Sequence, residues 1–208
     1  MKTIKIELKN RIEWRNEKGQ FHRNGDHPAV IWKTTGTIKF YKNGKRHRTN
    51  GPAIMSPYQS EWWIHGIRHR LDGPAIESAH GEAWYINGKL HRIEGPAYTY
   101  RSFPFPSQYS TEEWFVNGLR HRDNDLPAII SNNAQEWFLN GNHHRENNQP
   151  AILNRFGYTQ WFVNGKHHRE DGPAIEHVKG NKFFLKGKQI FVESQEEFEK
   201  YMKLPAFH

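Results

Sequence analysis

The chain has no cysteine. That excludes disulfides, thiolate metal ligands and a cysteine nucleophile, and it leans weakly toward a reducing compartment. No stretch approaches the ~20 consecutive apolar residues of a membrane-spanning helix, and the opening MKTIKIELKNR lacks the apolar core of a signal peptide. A soluble, cytoplasmic protein with no membrane span is therefore expected. The sequence also lacks GxSxG, HExxH and GxxxxGK, and no pair of carboxylates stands apart from its surroundings. Only 35% of the 208 residues are hydrophobic, yet 14% are aromatic and 17 are glycine. That balance suits thin sheets carrying wide aromatic side chains better than a deep globular core.

What the chain has in abundance is one phrase. HisArg recurs at His22, His47, His69, His91, His121, His144 and His168, at spacings of 25, 22, 22, 30, 23 and 24, each followed by ProAla at Pro28, Pro52, Pro74, Pro96, Pro127, Pro150 and Pro173. An aromatic pair and a two-residue turn precede most copies, as in WWIHGIRHRLDGPA and WFVNGKHHREDGPA. FFLKGKQI, from Phe183 to Ile190, keeps the aromatics and the turn but loses HisArg, as a terminal unit without a following neighbour would. One repeat-built β domain over 1–190, followed by a helix and tail over 191–208, is the expected organisation.

AsnGly between aromatic and β-branched residues is the strongest short-range hairpin signal, because a type I′ turn needs positive φ at both central positions. With Asn87 and Gly88 at a tip, Ile86 faces Lys89, Tyr85 faces Leu90, Trp84 faces His91 and Ala83 faces Arg92. The same register sets Phe40, Trp62, Trp114, Trp137 and Trp161 against His47, His69, His121, His144 and His168. Proline marks a corner leading to a third short strand, so adjoining copies should extend an antiparallel, twisted sheet. In SQEEFEKYMK, Ser194 and Glu197 form a capping box and Phe198, Tyr201 and Met202 share a face, which predicts a short helix over the last sheet edge. The fold expected is all-β, a repetitive antiparallel hairpin and meander sheet with a C-terminal capping helix.

At WYINGKLHRIEGPAYTY the unit resembles the MORN repeat, and it is closer to a divergent WxxNGxxHRxxGPA class common in phage and giant-virus genomes. The resemblance implies a MORN-like sheet and a role as scaffold, dimerisation module or viral accessory factor acting on a host or viral macromolecule. Arg stands where the MORN pattern has Gly after His, so the lipid contact proposed for that family is not carried over.

Seven regular histidines invite a metal reading, but ligands must converge within ~2 Å of one ion, whereas equivalent positions in successive units lie roughly 10 Å or more apart. Stacking of each His on its opposed aromatic is the simpler role, and the Arg of HisArg is expected in cross-strand pairs Glu61 with Arg70, Glu113 with Arg122, Glu136 with Arg145 and Gln160 with Arg169. No catalytic residue, metal or cofactor is assigned.

Two candidate surfaces remain. Tyr41 with Arg46, Trp63 with Arg68 and Phe115 with Arg120 make a cation-aromatic row on the other face. If exposed, it offers rings for bases and cations for phosphates; if covered, it is the second half of the core. The formal charge of +8 permits an anionic partner. The stretched spacing between His91 and His121 holds Phe103, Pro104, Phe105, Pro106 and Tyr109, which either anchor a protein partner or fold back onto the sheet. A protein-binding scaffold, open to self-association, is the function expected, with nucleic-acid or nucleotide binding along the cation-aromatic row as the alternative.

Overall fold

A computed structural model describes residues 2–102 and 109–204. Phe103, Pro104, Phe105 and Pro106 of the candidate partner loop lie outside them, and Tyr109 within. The chain divides into two compact units, residues 1–105 and 106–208. Each unit is an antiparallel meander from which short hairpins project, and the fold is all-β apart from one helix.

In the first unit, nine central strands follow one another in sequence order from Thr3–Glu7 to Tyr98–Arg101. Three two-stranded hairpins branch off, with tips at Asn43 and Gly44, His65 and Gly66, and Asn87 and Gly88. In the second unit six central strands run from Ser110–Glu113 to Ile175–Glu176, and four hairpins branch off between Phe115 and Ile190. The expected type I′ geometry is present. Asn43, Asn87, Asn117, Asn140 and Asn164 have φ between 49° and 53°, each followed by a glycine also at positive φ. His65 adopts the same conformation at 50° in the third copy, a strained position for a residue with a Cβ.

The register at the tips is as the sequence predicts: Tyr85 pairs with Leu90 and Ile86 with Lys89. One bond further down, the His91 amide donates to the Trp84 carbonyl at 3.0 Å, and the other aromatic and His pairs repeat it. Beyond that point the ladder stops. Ala83 pairs with Ile76 and Tyr98 of the central sheet, not with Arg92. The first aromatic of each pair is a corner between central sheet and hairpin, so a register read through it fails. A repeat copy therefore holds four short strands, two central and two in the hairpin, where the sequence suggested three.

The corner is built around alanine. Ala29, Ala53, Ala75, Ala97, Ala128, Ala151 and Ala174, the alanines of all seven ProAla pairs, are fully buried. Each alanine carbonyl accepts the amide of the corner aromatic of its own copy, as Ala75 does from Trp62 at 2.8 Å. A methyl is the largest side chain that lets the two backbones meet there, and the preceding proline turns the chain without needing a donor of its own.

The helix spans Gln195–Met202. The Ser194 side chain accepts from the Glu197 amide at 3.2 Å, while the Glu197 carboxylate takes the Glu193 amide at 2.8 Å, one residue earlier than the capping box implies. Phe198 is fully buried and lies 4.8 Å from the Phe183 ring of the last hairpin. The helix thus covers the unit that has no successor. No described helix is long and apolar enough to cross a membrane.

Candidate functional site

The repeated motif is consumed by its own architecture. The Arg of HisArg does not pair with the acid across the corner. Its guanidinium lies flat on the corner aromatic of its own copy: Arg23 on Trp14, Arg48 on Phe40, Arg70 on Trp62, Arg92 on Trp84, Arg122 on Trp114, Arg145 on Trp137 and Arg169 on Trp161, all at 3.7 to 3.9 Å. From that position Nη1 donates to the carbonyl of the motif proline, as Arg70 does to Pro74 at 3.1 Å and Arg122 to Pro127 at 3.1 Å. Arg thus clips the loop to the sheet corner, a planar stack plus a fixed donor that lysine cannot reproduce.

For six of the motif histidines the structure shows a role other than the expected stacking on the corner aromatic. Their Nδ1 atoms accept the amide at the hairpin tip of the next copy: His22 from Asn43, His47 from His65, His69 from Asn87, His121 from Asn140, His144 from Asn164 and His168 from Lys186, all at 3.0 to 3.2 Å. With Nδ1 accepting, the ring proton sits on Nε2, which faces Asn24 from His22, Asp123 from His121 and Glu146 from His144. Sequence reasoning missed this joint because its partner lies 18 to 21 residues away. The near-constant separation of each His from the next turn was the available signal. Among the described residues no three His, Asp or Glu side chains gather as metal ligands would.

The cation-aromatic row forms with the expected cross-strand pairs Tyr41 with Arg46, Trp63 with Arg68 and Phe115 with Arg120, and Arg46, Arg68 and Arg120 also reach a ring of the following copy. In the first unit Arg46 lies 4.8 Å from the Trp63 ring, and Arg68 lies 4.7 Å from Trp63 and 5.5 Å from Tyr85. In the second, Arg120 lies between Phe115 and Phe138 at 5.4 and 5.6 Å, followed by His143 between Phe138 and Phe162 and His167 between Phe162 and Phe184. Aromatic rings alternate with arginine or imidazole side chains along the row. All are half-buried except Phe138, which is buried. Tyr41 pairs with Arg46, and its ring lies 5.2 Å from Phe21. The row is neither an open platform nor a closed core.

Most members of this row also reach a carboxylate or amide seven residues earlier: Arg68 to Glu61 at 3.3 Å, Arg120 to Glu113 at 2.9 Å, His143 to Glu136 at 2.8 Å and His167 to Gln160 at 2.7 Å. These central-strand acceptors alternate with aliphatics straight across the sheet. In the second unit the line is Glu113, Ile129, Glu136, Ile152, Gln160, Ile175; in the first it is Glu13, Val30, Lys39, Ile54, Glu61, Ile76. Burial works against the charge of Glu13, but hydrogen bonds from Arg15 at 2.7 Å and Arg11 at 2.8 Å prevail and hold its carboxyl below the usual range. His167 is pushed down by burial and by His143. His47 is pushed down by burial, then by His65 and Lys42.

Open grooves lie between consecutive loops. One of about 340 Å³ runs between the loops after His22 and His47, where Asp26 grips Arg48 through both carboxylate oxygens at 2.6 and 2.9 Å. In the second unit, a depression of about 470 Å³ on the opposite ends of the central strands is lined by Tyr109, Asn132, Asn133, Arg155 and Phe156. Arg155 covers Phe156 at 5.3 Å and donates to the Asn133 side chain at 3.4 Å, while Asn132 accepts from the Ser110 amide at 2.6 Å. Tyr109 and Phe156 are 59% and 65% exposed, unusual for large rings with a groove between them.

Fold and site together define a class, a repeat-built antiparallel β protein whose motif residues join one repeat copy to the next within each unit. Among known families and curated proteins, no family model and no individual protein matches the chain.

Proposed function

We propose that this chain is a non-enzymatic scaffold of MORN-like construction that binds another protein through side chains lying outside its motif, in the manner of a viral accessory factor. The observation that carries this reading is the division of labour within the repeat. Arg, His, Pro and Ala of the motif are taken up by corner and hairpin contacts, whereas large apolar side chains stand exposed between motif copies, among them Tyr58, Tyr109, Phe156 and Val178. Exposed aromatic rings of this kind dominate interface energetics.

The groove between Tyr109 and Phe156 is the best-formed such surface, and Tyr109 ends the aromatic loop singled out in the sequence. Affinity capture with the wild-type chain and with a Tyr109→Ala, Phe156→Ala double variant tests the reading. A protein partner retained by the first and lost by the second is expected. Equal capture by both would remove the basis for placing the interface here.

Nucleic-acid binding along Tyr41, Arg46, Trp63, Arg68, Phe115 and Arg120 has less support as base stacking, since the ring faces are already occupied by cations. Arg46 is the exception, with an electrostatic situation of its own.

A further inference from the structure

One position in the first unit breaks the pairing rule of the sheet. Residues seven apart match in the third to seventh copies: acceptor with donor at Glu61 and Arg68, Glu113 and Arg120, Glu136 and His143, Gln160 and His167, and apolar with apolar at Ala83 and Leu90. In the second copy the same two places hold Lys39 and Arg46, two cations where the fold brings donor and acceptor together. Both are half-buried.

Nothing nearby neutralises them. From 27 to 60 the sequence contains no Asp or Glu while carrying Lys33, Lys39, Lys42, Lys45, Arg46 and Arg48. Lys33 is paired with Glu7 and Arg48 with Asp26. Among the described residues, Lys39, Lys42, Lys45 and Arg46 reach no carboxylate. The two acids in line with Lys39 across the sheet are both engaged. Glu13 is held by Arg11 and Arg15, and Glu61 by Gln59, the Trp63 indole and Arg68. Arg46 is oriented by the Trp63 ring at 4.8 Å, so its planar donors are held on a half-buried surface without an acceptor.

We propose that Lys39 and Arg46 form a binding site for a phosphoryl group. The ligand supplies the negative charge that glutamate supplies in neighbouring copies. Two half-buried cations in register call for more negative charge than one carboxylate supplies, and a guanidinium fork beside a lysine fits the several oxygens and double charge of phosphate. The site is independent of the protein-binding reading, since it uses no residue of the Tyr109 and Phe156 groove.

The test is calorimetric titration of the full chain at low salt with pyrophosphate and, separately, with a single-stranded DNA oligonucleotide. Lys39→Glu recreates the Glu61 and Arg68 arrangement within the second copy. It should keep the fold, raise the melting temperature and weaken both probes by about tenfold or more. Lys179→Glu makes the same charge change on an exposed turn and should alter affinity by less than about twofold. Binding by pyrophosphate alone assigns the phosphoryl source to a free phosphate ester. Binding of the oligonucleotide with displacement by pyrophosphate assigns it to a polynucleotide strand. Either result, with the Lys39→Glu loss, supports the site. Failure of the wild-type chain to bind either probe, or equal losses in the two variants, overturns it.

Discussion

The Nδ1 atom of His69 accepts the amide hydrogen of Asn87 at 3.1 Å, linking the end of one hairpin to the tip of the next. On the same tip the Gly88 amide donates to the Arg68 carbonyl at 2.9 Å, and the Arg70 amide donates to the Tyr85 carbonyl at 3.0 Å. Three bonds thus lock two successive hairpins, and the imidazole supplies the one that backbone alone cannot make. A polar motif can be so regular because, within each unit, successive copies present the same orphan amide to their predecessors.

Arg70 should tolerate no replacement that keeps only its charge. Its guanidinium lies 3.9 Å from the Trp62 ring centre, donates to the Pro74 carbonyl and reaches Asp72 and Glu77. Arg70→Lys retains a cation but loses the planar stack and the fixed donor. The expected cost is about 1 to 2 kcal/mol, read by urea denaturation of the variant beside the wild type.

Stability should fall as the pH drops below about 6.5, the ordinary value for an unfolded histidine. Burial, followed by the neighbouring positive groups, lowers the folded values of His47 and His167. Above 6.5 their rings are neutral in both states and contribute no slope. Below it the unfolded chain takes up protons that the folded one resists, so stability declines toward the folded values. Glu13 adds a second, more acidic loss, because its lowered value contributes stability above the ordinary carboxylate range that disappears as the carboxyl protonates. Melting temperatures between pH 7.5 and 5 should decline, and a His47→Gln, His167→Gln variant should show a shallower decline.

Trp84 should be less demanding than Trp137 or Trp161. Its indole N–H is buried without an acceptor, whereas those of Trp137 and Trp161 donate to the carbonyls of Asp125 and Asn148 at 2.9 and 3.1 Å. Phenylalanine removes an unsatisfied donor at Trp84 but a made hydrogen bond at Trp137. Trp84→Phe is therefore expected to be less destabilising than Trp137→Phe by about 1 to 3 kcal/mol in parallel denaturation curves.

Strand pairing at the tips was legible in the sequence because a two-residue AsnGly turn fixes register, and Tyr85 against Leu90 follows by counting. The capping helix was legible from Ser194 and the apolar spacing of Phe198 and Tyr201. The roles of His and Arg were not. Counting outward from the tip presumes a straight ladder, but the chain turns a corner at Trp62 and its equivalents, and the partner of His69 belongs to the next unit. The acceptor row was partly hidden for the same reason. Glu61 meets Arg68 because the hairpin folds back toward the central sheet, although the seven-residue interval was there to be noticed. Within the cation-aromatic row, Arg46 with Tyr41 and Arg120 with Phe115 were named from pattern alone and do pair. Their burial was not readable, because alternation says which face a residue shares and not what covers it.

The most direct test of the repeat joint is the protonation state of the ring nitrogens of His22, His47, His69, His121, His144 and His168, read from long-range nitrogen-proton NMR correlations at pH 7.5. The account predicts neutral rings carrying hydrogen on Nε2, with Nδ1 an acceptor, in all six. Rings protonated on Nδ1, or tautomers averaging as in free imidazole, would contradict it.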